Sequence, residues 1–349
     1  MSWEKILPLY TSPGRSWQPR GRAQGSPEGG AGVVESLPIM PAAIRSVLVV
    51  GAGAVGAAVA GLVAGRLPSA VTILAGDERA ERYRREGFVL NGERRDFALV
   101  SPAQRSAPDL VIVSVKTYQL EQAVADMRNH VGPGTLILSL LNGISSEEIL
   151  AREFGAERVP LAMILGIDAV REGNRTRFSA TGRIHFGDAQ NPPGAWSERV
   201  RRIAQFFDSA GVAWVVPQDM TRSLWYKFMI NIGINQASAV LRAPYGAFQS
   251  LPEAKELMES AMRETVALSR AMGTGLEEAD VAAWYETLRR LAPDGKTSML
   301  QDVEARRKTE VEAFAGTVMA LAGSAGLEVP VNRTLYRLIR ALERGYGCP

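Results

Sequence analysis

The sequence is poor in the residues that most often carry covalent, redox and metal chemistry. Of its 349 residues one is cysteine, Cys348, next to last, so no intrachain disulfide can form. That scarcity fits a reducing, cytoplasmic setting. Histidine occurs twice, as His130 and His185, too few for a His/Cys metal site. Nothing around His185 (GRIHFGD) suggests a nucleophile–base pair, and that histidine sits in an expected strand with a structural role. No uninterrupted apolar run approaches the roughly 18–20 residues of a membrane span. The formal net charge is only +3. With a pI near 9.1 but no basic stripe interleaved with aromatics, nucleic acid is a poor partner. No tyrosine has a lysine four residues on, so a Tyr-x-x-x-Lys proton relay is absent. An acid or base here is therefore expected to be Lys, Tyr, Asp or Glu.

What is present reads as a globular chain of two domains. Residues 1–43 (including SPGRSWQPRGRAQGSPEGGAG) show neither helical nor strand period and read as a disordered leader. They contain no apolar signal core. From Ile44, short apolar runs alternate with helical stretches: SVLVVG, AVGAAVAGLVAGRL, VTILA, DERAERYRREG. FVLNGERRDFALV reads as a hairpin turning at Asn91-Gly92. DLVIVSV, YQLEQAVADMRNH, TLILSLLNG and SSEEILAREF continue the alternation. This is the pattern of an α/β fold, a doubly wound, mostly parallel Rossmann-type sheet. Shorter strands follow Pro160, and from Gln218 nearly everything is helical. The expected domains are 44–217, binding a dinucleotide, and 218–349, an all-helical substrate domain.

The glycine turn Gly51-Ala52-Gly53-Ala54-Val55-Gly56 follows a strand and opens a helix, the context a dinucleotide-binding G-x-G-x-x-G requires. Asp77, after VTILAG, stands where an acidic residue binds a ribose hydroxyl. Arg79 and Arg82, just beyond, are placed to meet a 2′-phosphate. A solvated helix start explains these three residues equally well, and NAD and NADP both stay open at this point.

Two helical stretches carry polar residues where apolar ones belong. LWYKFMINIGINQASAV (224–240) is apolar except at intervals of four. On a helix of about 100° per residue, with Lys227 at zero, Asn231 falls near 40°, Asn235 near 80° and Ser238 near 20°. A narrow stripe of one ammonium and two amides suits a cleft wall, although a short exposed stripe would look the same. In SMLQDVEARRKTEVEAFAG, read as one helix from Ser298, Glu310 falls inside the apolar arc. A carboxylate there needs a partner, either Lys227 or the nearer Arg307. Lys116 and Asn142 follow the strands LVIVSV and TLILSLL, at the sheet edge where ligands gather. Taken singly, each also reads as an ordinary loop residue.

Taken together, GAGAVG, SVKTYQLEQAV, LLNG, GRIHFGD, LWYKFMINIGINQASAV and TSMLQDVEARRKTEVEAFAG resemble the ketopantoate reductase (2-dehydropantoate 2-reductase) family over nearly all of 46–345. The resemblance implies reduction of a small 2-oxo acid by NADPH in a cleft between a Rossmann and a helical domain. It implies Lys227 as general acid and Asn231, Asn235 and Ser298 as holders of the substrate oxygens. Glu310 would act beside the lysine, with Lys116 and Asn142 on the cofactor. One departure stands out: the family often reads Ala-Arg-Gly after its second strand, and here the residues are Ala75-Gly76-Asp77. That leaves NAD open beside NADP. A homodimer is left open as well. Two other readings remain at this stage, a β-hydroxyacid-type dehydrogenase and a non-catalytic dinucleotide-binding protein.

Overall fold

The computed structural model describes residues 43–347. Residues 1–42, nearly all of the expected leader, and Cys348 lie outside the described residues. Strand β1 is Val47–Val50, β2 Val71–Leu74, β3 Phe88–Leu90, β4 Glu93–Arg95, β5 Ala98–Val100, β6 Leu110–Val113 and β7 Leu136–Ser139. A five-stranded, wholly parallel sheet runs β5-β2-β1-β6-β7. The order reverses between β1 and β6, which opens a crevice at their carboxyl ends.

Every side chain of β1, β6 and β7 is buried, as a parallel sheet covered on both faces requires. The alternation is visible residue by residue. Val47 and Val49 join a core with Ile73, Ile112, Phe186 and Phe207 on one face. Leu48 and Val50 join Val111, Val113, Leu120, Met127 and Leu150 on the other.

The Asn91-Gly92 turn forms as the sequence indicates, with both residues at positive φ and β3 paired antiparallel with β4. The rest of that stretch does not stay in the hairpin: Ala98–Val100 leaves to become β5, the edge of the main sheet. Strands β8 (Leu161–Ile167), β9 (Val170–Glu172), β10 (Arg175–Arg177), β11 (Thr181–Gly187) and β12 (Trp214–Val215) complete two smaller sheets, β4-β3-β10-β9 and β12-β11-β8.

Beyond β12 every regular element is helical, around a core of its own that includes Phe228, Ile232, Met258, Phe314 and Ile339. Asp219 caps the first of these helices, Met220–Ile230, by accepting from the Arg222 N–H at 2.8 Å. That helix packs against β8 and β11, which carries Lys227 to the edge of the sheet-bearing half.

Two expected helices are not continuous. The α-helix of Met220–Ile230 passes into a π-helical turn, Asn231–Asn235, before resuming at Gln236. The wheel drawn from Lys227 therefore loses register. Ser238 leaves the polar stripe, is fully buried, and donates to the Ala243 carbonyl at 2.6 Å. In the second stretch, the helix from Ser298 stops at Glu304, and Arg306 adopts φ 52°. Helical turns resume as a second π segment, Glu312–Gly316, with Gly316 N–H donating to the Val311 carbonyl five residues back. Glu310 thus lies outside the Ser298 helix, in the turn that leads into the second π segment.

Candidate active site

A cleft of about 900 Å³ opens at the carboxyl ends of β1, β6 and β7. The glycine turn forms its floor. Gly51 has φ +94°, and a Cβ on Gly56 would stand 2.1 Å from the Gly51 carbonyl and 2.2 Å from Ser114 Oγ. That hydroxyl itself donates to the same carbonyl at 2.7 Å. A Cβ on Gly53 would meet only the Ser114 carbonyl, at 4.0 Å, so this position opens onto the cleft. Ala54 begins a 13-residue helix with no acidic residue in its first turn. Its free N–H groups and dipole make a seat for phosphate. The cradle fits a dinucleotide's pyrophosphate.

Of the residues named from sequence as cofactor contacts, Gly51, Gly53, Ala54, Val55, Arg79, Arg82, Lys116 and Asn142 line this cleft. Gly56 lies beneath it, packing the helix onto the turn. Asp77 does not line it. It is exposed at the first position of helix Asp77–Glu86, where its charge offsets the helix dipole.

Glu310 is the hub of the inner end. It is 6% exposed and accepts from Lys116 Nζ at 3.4 Å, the Thr117 N–H at 3.4 Å, Thr117 Oγ1 at 3.2 Å and Asn142 Nδ2 at 3.2 Å. Its partners come from the segments that follow β6 and β7. Arg307, the local alternative, pairs with Asp302 at 3.0 Å. Asp302, 5% exposed, also takes Lys116 at 3.0 Å. Lys227 makes no hydrogen bond or ion pair with Glu310; it feels Glu310 and Glu147 as nearby negative charges.

The two lysines differ sharply. Burial disfavours the Lys116 charge, but Glu310 and Asp302 outweigh it and hold the ammonium above the ordinary lysine range. Lys227 keeps part of its surface open, yet the protein packed around its ammonium dominates and lowers its pKa to about 8, against the pull of Glu310 and Glu147. His185 is buried nearby, and burial together with Lys227 and Arg183 pushes its pKa down to about 4. It is neutral at ordinary pH.

The amides of the first π segment complete the array. Asn235 Nδ2 donates to Asn231 Oδ1 at 3.1 Å. Asn235 Oδ1 accepts from Ser298 Oγ at 3.2 Å and from the Met299 N–H at 3.4 Å. Thr297 fixes Ser298 at its helix start by accepting from the Leu300 N–H at 3.1 Å. Ser298 lines the cleft with Glu310, so the amide pair is joined to the cleft through one hydroxyl.

Sequence reasoning missed Asp302, Thr117, Glu147 and Arg171. Asp302 and Thr117 carry no periodic anomaly. Glu147, 6% exposed, lies in the first turn of helix Ser146–Phe154, where an acid reads as ordinary dipole compensation. It accepts from Ser146 Oγ at 2.8 Å and the Ala162 N–H at 3.3 Å, and burial raises its pKa. Arg171 lies in the short strand β9, where nothing local marks it.

Residues 47–191 match the family model described as ketopantoate reductase PanE/ApbA, and residues 219–343 match the model of its C-terminal region. The 2-dehydropantoate 2-reductase of Halobacterium salinarum is 30% identical over 305 residues, 85% of this chain and 99% of that protein. The solved 2-dehydropantoate 2-reductase of Geobacter metallireducens is 26% identical with a TM-score of 0.74, covering 84% of this chain and 99% of that one. The ternary structure of D-mandelate dehydrogenase with NADH and anilino(oxo)acetate shares the fold at a TM-score of 0.78 and 19% identity, covering 87% and 100%. Among the described residues no helix is long and apolar enough to cross a membrane.

Proposed function

This chain belongs to the ketopantoate reductase family, and on that premise we propose that it reduces ketopantoate, or a 2-oxo acid of that type, to the 2-hydroxy acid with NADPH. In this reading residues 44–217 hold the cofactor, and residues 218–349 supply Lys227, Asn231, Asn235, Ser298 and Glu310.

Gly51, Gly53, Ala54 and Val55 would hold the cofactor, which would supply the hydride that the keto carbon accepts. As the new C–H bond forms and the π bond of the carbonyl opens, negative charge grows on its oxygen. Lys227 stabilises that charge and delivers the proton. Asn231, Asn235 and Ser298 offer donors and acceptors to the carboxylate and hydroxyl oxygens. To do so, Ser298 and Asn235 exchange their mutual bond for bonds to substrate. Glu310 keeps the ammonium side of the site negative without quenching it, because its own bonds go to Lys116, Thr117 and Asn142.

One observation carries the reading: an ammonium packed into the protein without an ion pair, within electrostatic reach of a carboxylate, Glu310, that Lys116, Thr117 and Asn142 already hold. Preference for NADPH is supported by Arg79 and Arg82 in the cleft lining and by Asp77 outside it.

Initial rates with NADPH and NADH across ketopantoate, pyruvate and larger 2-oxo acids, and with NADP+ and NAD+ across 3-hydroxy acids, test the proposal. The expected result is NADPH oxidation that depends on a branched 2-oxo acid. Turnover confined to 3-hydroxy acids would identify a β-hydroxyacid-type dehydrogenase instead. Cofactor binding with no turnover of any acid would identify a non-catalytic binder.

A further inference from the structure

Strand β9 brings a third guanidinium to the cleft, beside Arg79 and Arg82. Arg171 Nη1 donates to the carbonyl of Ala52, inside the glycine turn, and its Nε donates to the Gly173 carbonyl at 2.9 Å. Its guanidinium carbon lies 5.8 Å from the Tyr83 ring and 5.3 Å from the Phe88 ring. The Arg82 guanidinium lies 5.6 Å from the same Tyr83 ring. Two arginines from distant parts of the sequence thus converge on one aromatic platform. Arg79, Arg82, Tyr83, Arg171 and Ala52 all line the same cleft.

None of the three arginines has a carboxylate within ion-pair distance among the described residues; the nearby Glu86 is taken by Arg85 at 2.8 Å. Burial pushes Arg171 below the usual guanidinium range, and the charges of Arg82 and Arg79 push the same way. Three uncompensated cations in one corner repel one another and invite a dianion. The two bonds that anchor Arg171 leave most of its donors free.

The position of the corner selects the anion. The pyrophosphate is served by the glycine turn and the helix that begins at Ala54. Arg79 and Arg82 stand on the helix after β2, the strand whose end addresses the adenosine ribose. We propose that Arg171 is a specificity-determining residue that grips the 2′-phosphate of NADPH together with Arg79 and Arg82, reaching in from the β9–β10 insert where the end of β2 offers only Gly76. This rests on the NADPH reading above.

The test is direct binding, by calorimetry, of 2′-phospho-ADP-ribose and ADP-ribose to the parent protein and to the Arg171→Met and Arg171→Lys variants. Neither ligand can be turned over, so the result is independent of whether the substrate assignment stands. The parent should bind the phosphorylated ligand more tightly. Arg171→Met should weaken that ligand by roughly 10- to 100-fold, the scale of a lost charge-assisted contact, and change ADP-ribose by less than about threefold. Arg171→Lys, which keeps the charge but loses the fork, should fall between. Equal weakening of both ligands would overturn the inference and put Arg171 on the pyrophosphate or in the scaffold. No weakening of either would overturn it as well. A parent without preference would remove the NADPH reading together with it, whereas failure of oxo-acid turnover with these binding results intact would remove only the substrate assignment.

Discussion

Two lysines feel one carboxylate, Glu310, and their pKa values move in opposite directions. Lys116, held above the ordinary range by Glu310 and Asp302, is a permanent cation across the working pH range. Lys227, lowered to about 8, can give up a proton near neutrality, as a general acid must. Lys227→Ala should lower turnover by roughly two to four orders of magnitude, with cofactor affinity and melting temperature little changed; stopped-flow and binding titrations would check both. The pH dependence has a definite sign. On the proposed mechanism reduction needs protonated Lys227, so its rate should hold below pH 8 and fall above it. The reverse oxidation needs the neutral amine and should rise through the same pH. Glu310→Gln removes one of the two charges that raise this pKa, so the midpoint in the reduction profile should move below 8. An unchanged midpoint would mean that Glu310 does not act on Lys227.

Among the elements, the π segments decide where the site residues point. Gly233, inside the first, lies against the long helix Pro252–Ala271. A Cβ there would sit 2.6 Å from Met262 Cγ and Cε and 2.9 Å from the Met258 carbonyl. Gly233→Ala should therefore cost about 1–3 kcal/mol by overpacking and displace Asn231 and Asn235, seen as a lower Tm together with a raised KM. The second segment is steadied from the far end of the chain. Glu343, fully buried in helix Pro330–Gly345, accepts from the Thr309 N–H and Thr309 Oγ1, both at 2.7 Å. Glu343→Ala should cost about 2–3 kcal/mol, the scale of hydrogen bonds to a buried charge, and lower kcat through the adjacent Glu310. At this level the sequence was only half legible. The intervals Lys227, Asn231 and Asn235 announced a polar cluster on an apolar helix. A wheel assumes a constant turn per residue, however, so it carried Ser238 into the cluster and put Glu310 on the Ser298 helix. No local signal marks a π turn, because the contact that favours it, Gly233 on Met262, comes from a residue 29 positions away.

At the level of the whole molecule, the Rossmann half was legible because its rules are local: alternating burial, a glycine turn after a strand, Asn-Gly at a hairpin. What joins the two halves was not, because the joining residues look ordinary in their own neighbourhoods. Lys116, in a loop after β6, meets Asp302 and Glu310 some 190 positions later. Asp302→Asn should remove the tighter of those two contacts and free Arg307, lowering stability by about 1–3 kcal/mol in a melt followed by circular dichroism. The π turn at Asn231–Asn235 has a further consequence, for chain length. In effect it is one residue more than an α-helix needs over that span. Deleting any single residue between 231 and 235 would let the helix close into uniform α geometry. Because the π turn spreads one extra residue over the same sweep, that deletion would leave everything downstream, Gln236–Leu241 first, facing nearly as it does now, and Gln236, fully buried and donating to Asn332 Oδ1 at 3.0 Å, would keep its partner. What would be lost is the widened turn that sets Asn231 and Asn235. A close homologue one residue shorter here is therefore expected to keep the downstream packing and to lose the arrangement of the two amides.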